Sequence, residues 1–222
     1  LVAGTVAALP QTADIVARLI GPKLAESLGQ SVIIDNRPGG TGIIGAEALA
    51  KSPPDGYTIM LMLIAHVIVP NLIPTSYDAI KDFAPVASIS FTEQLLVVHP
   101  SVPANTLHEF IALAKLKPGQ LNYGSGGSGG LAHLASELFN VMAGVKTQHI
   151  PYKGAGPGIN DLIGGQIQMY FAVPISVIPH IKSGRLKAIA ITGEVRSPAL
   201  PHVPTFAEAG LPGFKVTNWQ GV

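Results

Sequence analysis

The fold class is decided by residues 31–64, which read SVIIDNRPGGTGIIGAEALAKSPPDGYTIMLMLI. Ser31–Asp35 is a short β-branched run and predicts a strand. The glycine-rich residues 36–42 predict a turn, which leads into a helix over Ile43–Lys51. After the Pro-Pro-Asp-Gly turn, Tyr57–Ile64 is an apolar run of the kind found in buried strands. This strand–helix–strand order predicts a parallel sheet covered by helices.

The pattern extends to both sides of this stretch. Upstream, residues 12–28 place apolar side chains at helical spacing, and residues 1–4 are typical of a strand, which completes a βαβαβ unit. Downstream, a second series predicts strands over 94–99, 122–123, 147–151, 166–172 and 186–192, with helices over 107–116, 131–142, 159–163 and 174–182 and a short helix over 205–209. We therefore expect an α/β protein made of two lobes of about 100 residues each.

Composition excludes several classes of protein. Of the 222 residues, 47% are hydrophobic and 12% are charged, which is far from the composition of disordered chains. The net charge is +1 and the basic residues are scattered, so we expect no nucleic-acid partner. Cysteine is absent, and the most apolar stretch, Ile59–Pro70, is too short to span a membrane. Because Leu1 is not an initiator methionine and both ends read as strands, we expect a piece of a longer protein, with any signal peptide absent or removed.

Ligands of open parallel sheets bind at the carboxyl ends of strands where the strand order reverses. For a unit ordered 2-1-3, those ends are the loops at Ala7–Asp14 and Ala65–Pro70. The equivalent loop of the second lobe is Gly124–Gly130, which lies between a strand and a helix. These loops are the candidate binding segments.

The loop Gly124–Gly130 reads GSGGSGG and leads directly into the helix that starts at Leu131. Backbone N–H groups at a helix start, with the hydroxyls of Ser125 and Ser128, suit a carboxylate or phosphate. A flexible surface turn is the alternative interpretation, but flexible linkers do not usually sit tightly between a strand and a helix. The spacing also satisfies the dinucleotide fingerprint G-x-G-x-x-G, but no acidic residue follows about 20 positions on.

The same loop satisfies G-x-S-x-G, the nucleophile motif of α/β-hydrolases, with Ser128 as the serine. Asp161 and then His180 or His202 would complete the chain order of a Ser–Asp–His triad. A serine hydrolase centred on Ser128 is therefore the alternative function, although the loop is looser than the strained elbow of those enzymes.

The seven histidines show no metal-binding spacing, so we expect no metal site. His133 is more typical of a structural histidine, whereas His66 follows a strand at the predicted binding edge and is a candidate ligand contact. Asp14 either bonds the first loop or pairs with Arg18, one helical turn further on.

Eight segments read together show a resemblance to a known family. They are NRPGGTGIIG (36–45), AEALAKSPPDGY (46–57), DAIKDFAPV (78–86), NYGSGGSGGLAHL (122–134), IPYKG (150–154), LIGGQIQ (162–168), IKSGRLKAIA (181–190) and PTFAEAG (204–210). In these segments the chain resembles the Bug/TctC family, the extracytoplasmic solute receptors of bacterial tripartite tricarboxylate transporters. The resemblance covers about residues 14–219.

The resemblance implies a two-lobed periplasmic binding protein of the Venus-flytrap type, each lobe a mostly parallel sheet flanked by helices. Lobe 1 is expected over residues 1–98, lobe 2 over 99–216 and a return crossover over 217–222, with hinges near 97–101 and 216–222. The implied function is capture of a di-, tri- or aromatic carboxylic acid, without catalysis or a cofactor. The implied partners are the membrane components of the transporter, or a sensor kinase.

The resemblance also implies the ligand-binding residues, which lie in two loops and at four further positions. They are Gln11, Thr12, Ala13, Asp14, His66, Ser125, Gly126, Gly127, Ser128, Gly129, Tyr152, Phe171, Ala172 and Trp219. The chain departs from the family where residues 9–13, LPQTA, replace a glycine pair, which changes the pocket there. It also departs at Ala172, where many relatives carry an aspartate, and this argues against an amino-acid ligand.

Overall fold

The computed structural model describes residues 3–7 and 12–222, with side chains from Ala13 onward. Within this range the chain forms two compact units. One contains the residues up to Phe91 together with Trp219–Val222, and the other contains Thr92–Asn218. The chain therefore passes between the units twice, once between Phe91 and Thr92 and once between Asn218 and Trp219.

The helices and strands follow the order that the sequence predicts, except for an additional strand at Ser88–Glu93, an additional short helix at Ala65–Ile68 and the absence of a helix over 205–209. The strands are β1 (Ala3–Ala7), β2 (Val32–Asn36), β3 (Thr58–Leu63), β4 (Ser88–Glu93), β5 (Leu95–Val98), β6 (Asn122–Ser125), β7 (Gln148–Pro151), β8 (Met169–Ala172), β9 (Lys187–Ile191) and β10 (Thr217–Gly221). The helices are α1 (Thr12–Leu28), α2 (Ile43–Ala50), α3 (Ala65–Ile68), α4 (Leu107–Leu116), α5 (Leu131–Ala143), α6 (Ala155–Ile163) and α7 (Pro174–Lys182).

The first sheet has the strand order β2-β1-β3-β10-β4. Strand β1 is parallel to both β2 and β3, as the 2-1-3 prediction requires, and β10 returns antiparallel to β3. Helix α1 packs on one face through Ala13 and Ala17, which contact Leu61. Helix α2 packs on the other face, where Ala46 contacts Met60. The unit is thus a sheet covered by helices on both faces.

The second sheet has the order β7-β6-β8-β5-β9. Strands β7 and β8 are parallel to β6, and β5 is antiparallel to β8 and β9. All four residues of β5 and all four of β8 are buried, because helices cover both faces. An aromatic cluster forms the largest part of the core on one face, with ring centroids 4.3–6.4 Å apart, and comprises Phe139, Phe171, Phe206 and Phe214.

Three local predictions differ from the structure. Residues 205–209 form a turn rather than a helix: Thr205 and Glu208 bond each other's backbone N–H groups as at a helix start, but Gly210, with a φ of +96°, ends the turn before a helix forms. The predicted loop at Ala65–Pro70 contains the short helix α3 and a 3-10 turn. Strand β4 was not predicted at all.

Strand β5 is the main difference in the organisation of the lobes. The sequence assigned residues up to 98 to the first lobe, whereas Leu95–Val98 pairs with β8 and β9 of the second sheet. The unit boundaries in the structure lie after Phe91 and after Asn218.

Candidate functional site

Three helices of the second unit begin at the same edge of its sheet. Strands β7, β6 and β8 are adjacent and parallel, so their carboxyl ends lie side by side. Each of the three strands leads into a helix, α6 from β7, α5 from β6 and α7 from β8. The starts of all three helices therefore lie at one edge.

The N-cap residues of these three helices do not cap their helices with a side chain. Their N-cap residues are Gly130, Gly154 and Val173, and none of the three makes a side-chain cap hydrogen bond. Helix α4 is different, because Thr106 and Glu109 form a complete capping box at its start. The first N–H groups of a helix have no partner within the helix and carry a partial positive charge. This edge of the sheet consequently offers several hydrogen-bond donors to an anion.

The glycine-rich loop between β6 and α5 has a fixed backbone. The carbonyl oxygen of Gly126 accepts a hydrogen bond from Gly154 N at 3.1 Å. A Cβ atom at Gly126 would lie 3.2 Å from Ala155 N, so the loop passes directly over the start of α6. Gly127 and Gly129 have φ angles of +137° and +80°, which favour glycine. The repeated glycines therefore serve close packing and backbone conformation at the helix starts.

Ser125 holds this loop through hydrogen bonds of its side chain. Its side chain is fully buried, and its Oγ lies 2.6 Å from His149 Nε2. The same Oγ accepts a hydrogen bond from Gly127 N at 3.2 Å. Ser125 therefore holds the loop, and its hydroxyl is already bonded within the protein.

Two histidines support the loop as a stacked pair. The rings of His133 and His149 lie 4.2 Å apart, and His149 also stacks on Tyr123 at 4.9 Å. His133 Nδ1 accepts a hydrogen bond from Gly129 N at 3.1 Å, as expected of a structural histidine. Burial, followed by the neighbouring His133, lowers the pKa of His149. The contact of His149 with Ser125 could not be predicted from the sequence, because only the pairing of β6 with β7 brings the two residues together.

Tyr152 follows β7 and lies beside α6. Its hydroxyl donates to Asp161 Oδ2 at 2.8 Å, and burial together with this carboxylate raises the pKa of Tyr152 to about 12. Asp161 therefore bonds a tyrosine rather than a histidine. Ser128 is exposed at the tip of the glycine-rich loop.

Phe171 and Ala172 end β8 but do not expose side chains at its edge. The Phe171 ring is fully buried in the aromatic cluster, and Ala172 packs in the core on the opposite face. The alternation of β8 directs the Phe171 ring into the core, so the ring does not line this edge. Contact of Phe171 and Ala172 with a ligand stays a prediction.

In the first unit, the predicted residues of the first loop are only partly described. Gln11 lies outside the described residues. Thr12 is the first residue of α1, and only its backbone is described. Ala13 is buried in the core. The Asp14 carboxylate accepts hydrogen bonds from Arg18 Nε at 2.9 Å and from Asn36 Nδ2 at 2.7 Å. These two bonds lower the pKa of Asp14. The Asp14 carboxylate therefore connects the first turn of α1 to the last residue of β2 through its bond to Asn36.

His66 lies in α3 and is 6% exposed. Its Nε2 lies 3.0 Å from the carbonyl oxygen of Ala79, and its ring stacks on Tyr77 and contacts the edge of Phe83. Burial lowers the pKa of His66 despite the bond to Ala79. These contacts make His66 a core histidine. Trp219 lies on β10 and is half-buried.

The described residues contain neither a candidate metal site nor a helix that could span a membrane. Within 12–222, no group of three or more histidine and acidic side chains is placed to hold a metal ion. No helix in the same range is both long and apolar enough to cross a membrane.

Comparison with known proteins places this arrangement in a family. Residues 16–222 match the model of the tripartite tricarboxylate transporter family receptor, TctC. The chain belongs to this family. It is 37% identical over 215 residues to the protein BugT of Bordetella pertussis, and 39% identical over 211 residues to the UPF0065 protein of the tcbD-tcbE intergenic region of Pseudomonas sp. strain P51. Each match covers 94% of this chain but only 65% and 63% of the relative, so the chain spans less than two thirds of the length of these relatives.

Solved structures of the same type superpose closely on this TctC-family chain. The R. palustris protein Rpa4515 with adipate has a TM-score of 0.93 at 36% identity, over 99% of this chain and 75% of that one. MatC from Rhodopseudomonas palustris with bound malate has a TM-score of 0.92 at 32% identity, over 100% and 77%. The predicted family and the two-lobed periplasmic-binding-protein fold class are confirmed. The family and these neighbours are binding proteins rather than enzymes.

Proposed function

We propose that this chain captures a small carboxylic acid as the ligand-binding part of an extracytoplasmic solute receptor. The observation that carries the proposal is the set of three uncapped helix starts at one edge of the second sheet, α5, α6 and α7. Backbone N–H groups at these starts can bond the oxygens of a carboxylate, chiefly at α5 and α6, because α7 begins with Pro174, which has no N–H. The glycine-rich loop lets such a group approach the backbone closely.

The chemistry of this edge favours an anion over a neutral or cationic ligand. It offers hydrogen-bond donors at the positive ends of helix dipoles. The relatives agree with this preference, because Rpa4515 was solved with adipate and MatC with malate, which are both dicarboxylates. A di- or tricarboxylate is therefore the first ligand class to test, followed by aromatic acids.

The proposed cellular role follows from the family. A tripartite tricarboxylate transporter receptor would deliver its ligand to the membrane components of that transporter, from the periplasm. Presentation of the ligand to a sensor kinase is a second role that the same binding chemistry would serve. The alternative of a hydrolase centred on Ser128 is not supported, since the family and the structural neighbours are binding proteins.

The test is a binding screen of the full-length protein by thermal shift, with isothermal titration on the hits. Succinate, malate, adipate, citrate and benzoate are the probes, and glucose, lysine and adenosine are the controls. A carboxylate at 100 times its Kd should stabilise the protein by about 2.7 kcal/mol. Binding of none of the acids would contradict the proposal, whether or not a control binds.

The hydrolase alternative is tested separately with Ser128→Ala and p-nitrophenyl acetate. We expect neither the wild type nor the variant to turn over this ester. Turnover by the wild type that disappears in Ser128→Ala would instead establish a serine enzyme.

A further inference from the structure

Gln220, on β10, has a buried carboxamide without a partner. The side chain is 1% exposed, and among the described residues neither its Nε2 nor its Oε1 has a hydrogen-bond partner. A buried amide that bonds nothing destabilises the folded state. Buried polar side chains without a hydrogen-bond partner are uncommon in folded proteins and call for a specific reason.

The pairing of β10 with β3 shows which face of the first sheet Gln220 occupies. Gln220 lies directly opposite Leu63 in an antiparallel pair, so the two side chains point to the same face. Leu63 packs with Ala13 and Leu61 on the face that α1 covers. The neighbouring Gly221 lies opposite Met62, which packs on the other face, with Ala46. The carboxamide of Gln220 therefore points to the α1 face.

The position along the strand places Gln220 at the carboxyl edge of the first sheet. Leu63 is the last residue of β3, and Leu61, two residues earlier, lies opposite Ala7, the last residue of the parallel strand β1. Helix α1 starts at this edge with Thr12 and continues for 17 residues. Gln220 and the first turn of α1 therefore lie at the same edge and on the same face.

Packing does not explain the choice of glutamine here. The cluster on this face consists of aliphatic side chains, which include Val16, Ile34 and Val222 besides those already named. Methionine has about the size of glutamine and would fill the same space without leaving polar atoms unbonded. A polar side chain at this place is therefore explained by something that it binds.

We propose that Gln220 is a ligand-binding, specificity-determining residue of the first unit. Its carboxamide can donate to a carboxylate or hydroxyl oxygen and can accept from a hydroxyl or carboxylic acid. It therefore favours organic acids that carry a second oxygen group, such as dicarboxylates and hydroxy acids, over simple monocarboxylates. This inference rests on the proposed function for the ligand class, a small organic acid.

The test compares Gln220→Met with wild type in the full-length protein, with malate, adipate and hexanoate as probes. We expect the Kd for malate or adipate to rise about tenfold, which corresponds to the loss of one well-formed polar contact. The affinity for hexanoate should change far less. The melting temperature of the ligand-free protein should rise, because two unbonded polar atoms have left the core.

Gln168→Met is the matched control. Gln168 Oε1 accepts a hydrogen bond from Asn122 N at 2.8 Å. Asn122 is the first residue of β6, so this bond lies at the end of that strand away from the glycine-rich loop. This control should lower the melting temperature and leave every Kd unchanged. Opposite effects on stability and affinity in the two variants would separate a ligand contact from a structural amide.

The outcomes that overturn the inference are distinct from those that overturn the proposed function. If the wild type binds none of the acids, the proposed function fails. If it binds them and Gln220→Met binds malate and adipate within twofold of wild type, the inference is wrong and the proposed function stands. Should the variant not fold, the side-chain amide resonances of Gln220 in the wild type decide, because saturation with ligand must shift them.

Discussion

At the scale of single residues, Gly126 is a position where the proposed binding edge tolerates little change, because its neighbours are backbone atoms. A Cβ atom there would lie 3.2 Å from Ala155 N and 3.3 Å from Gly154 C, and both are backbone atoms that cannot rotate away. The loop carries Ser125 on one side and Gly127 on the other. Any shift of Gly126 therefore changes the geometry of the donors at the starts of α5 and α6.

We predict that Gly126→Ala weakens carboxylate binding by about tenfold, or about 1.4 kcal/mol. The added methyl group forces the loop away from α6 by a few tenths of an ångström, and hydrogen bonds weaken steeply with misalignment. Isothermal titration with the best acid of the screen measures the effect. Gly164→Ala is the control, because its Cβ would lie at an ordinary 3.4 Å from Asn160 O at the far end of α6. Equal affinities for the two variants would show that the glycine-rich loop does not touch the ligand.

At the scale of elements, the helices of the second unit divide according to how their first N–H groups are used. Helix α4 satisfies its own start through the Thr106–Glu109 capping box, with Glu109 N donating to Thr106 Oγ1 at 3.2 Å. Helices α5, α6 and α7 begin with glycine or valine at the N-cap. Capping in the first case stabilises the fold, and its absence at α5 and α6 leaves N–H donors for a ligand, whereas α7 begins with Pro174, which has no N–H.

We predict that Thr106→Ala lowers the free energy of unfolding by about 1 kcal/mol and leaves the carboxylate Kd unchanged. The variant loses a cap on a helix that does not start at the binding edge. Urea unfolding and isothermal titration measure the two effects. A clear loss of affinity would mean that α4 takes part in binding, and would contradict the assignment of its capping box to stability alone.

At the scale of the whole molecule, three histidines share a lowered pKa: His66, which is buried, and His149 and His180, which are half-buried. Burial is the first cause of a lowered pKa at His66, His149 and His180. Protonation of these rings is therefore easier in the unfolded chain than in the folded one. The folded state accordingly loses stability as protons are added.

We predict that the free energy of unfolding is constant at mildly alkaline pH and falls as the pH drops below about 6.5, the ordinary histidine pKa. The loss continues until the pH passes the lower pKa values of the folded state. Urea unfolding at pH 8, 7, 6 and 5 measures this dependence.

His66→Gln should show a weaker pH dependence than wild type, because glutamine does not take up a proton. His108→Gln, at an exposed position on α4, controls for the loss of one imidazole. A free energy of unfolding that rises toward pH 5 in the wild type would contradict the prediction.

The sequence by itself determined the kind and order of the elements. The first and last residues of α1, α4 and α7 agree with the sequence prediction. The 2-1-3 order of the first three strands agrees as well. These features are local, because hydrophobic periodicity, glycine and proline act within a few residues of the chain. The edge at which the glycine-rich loop lies follows from the same local order.

The tertiary structure alone decided which side chains meet. Pairing of β6 with β7 brings His149 under Ser125, and the packing of α3 encloses His66, which the sequence had suggested as a ligand contact. The face of β8 buries Phe171, and the register of β10 against β3 directs Gln220 toward α1. Each of these contacts joins residues far apart in the chain. A shift of one residue in strand register would reverse the face of every side chain on the strand, and no local pattern records that register.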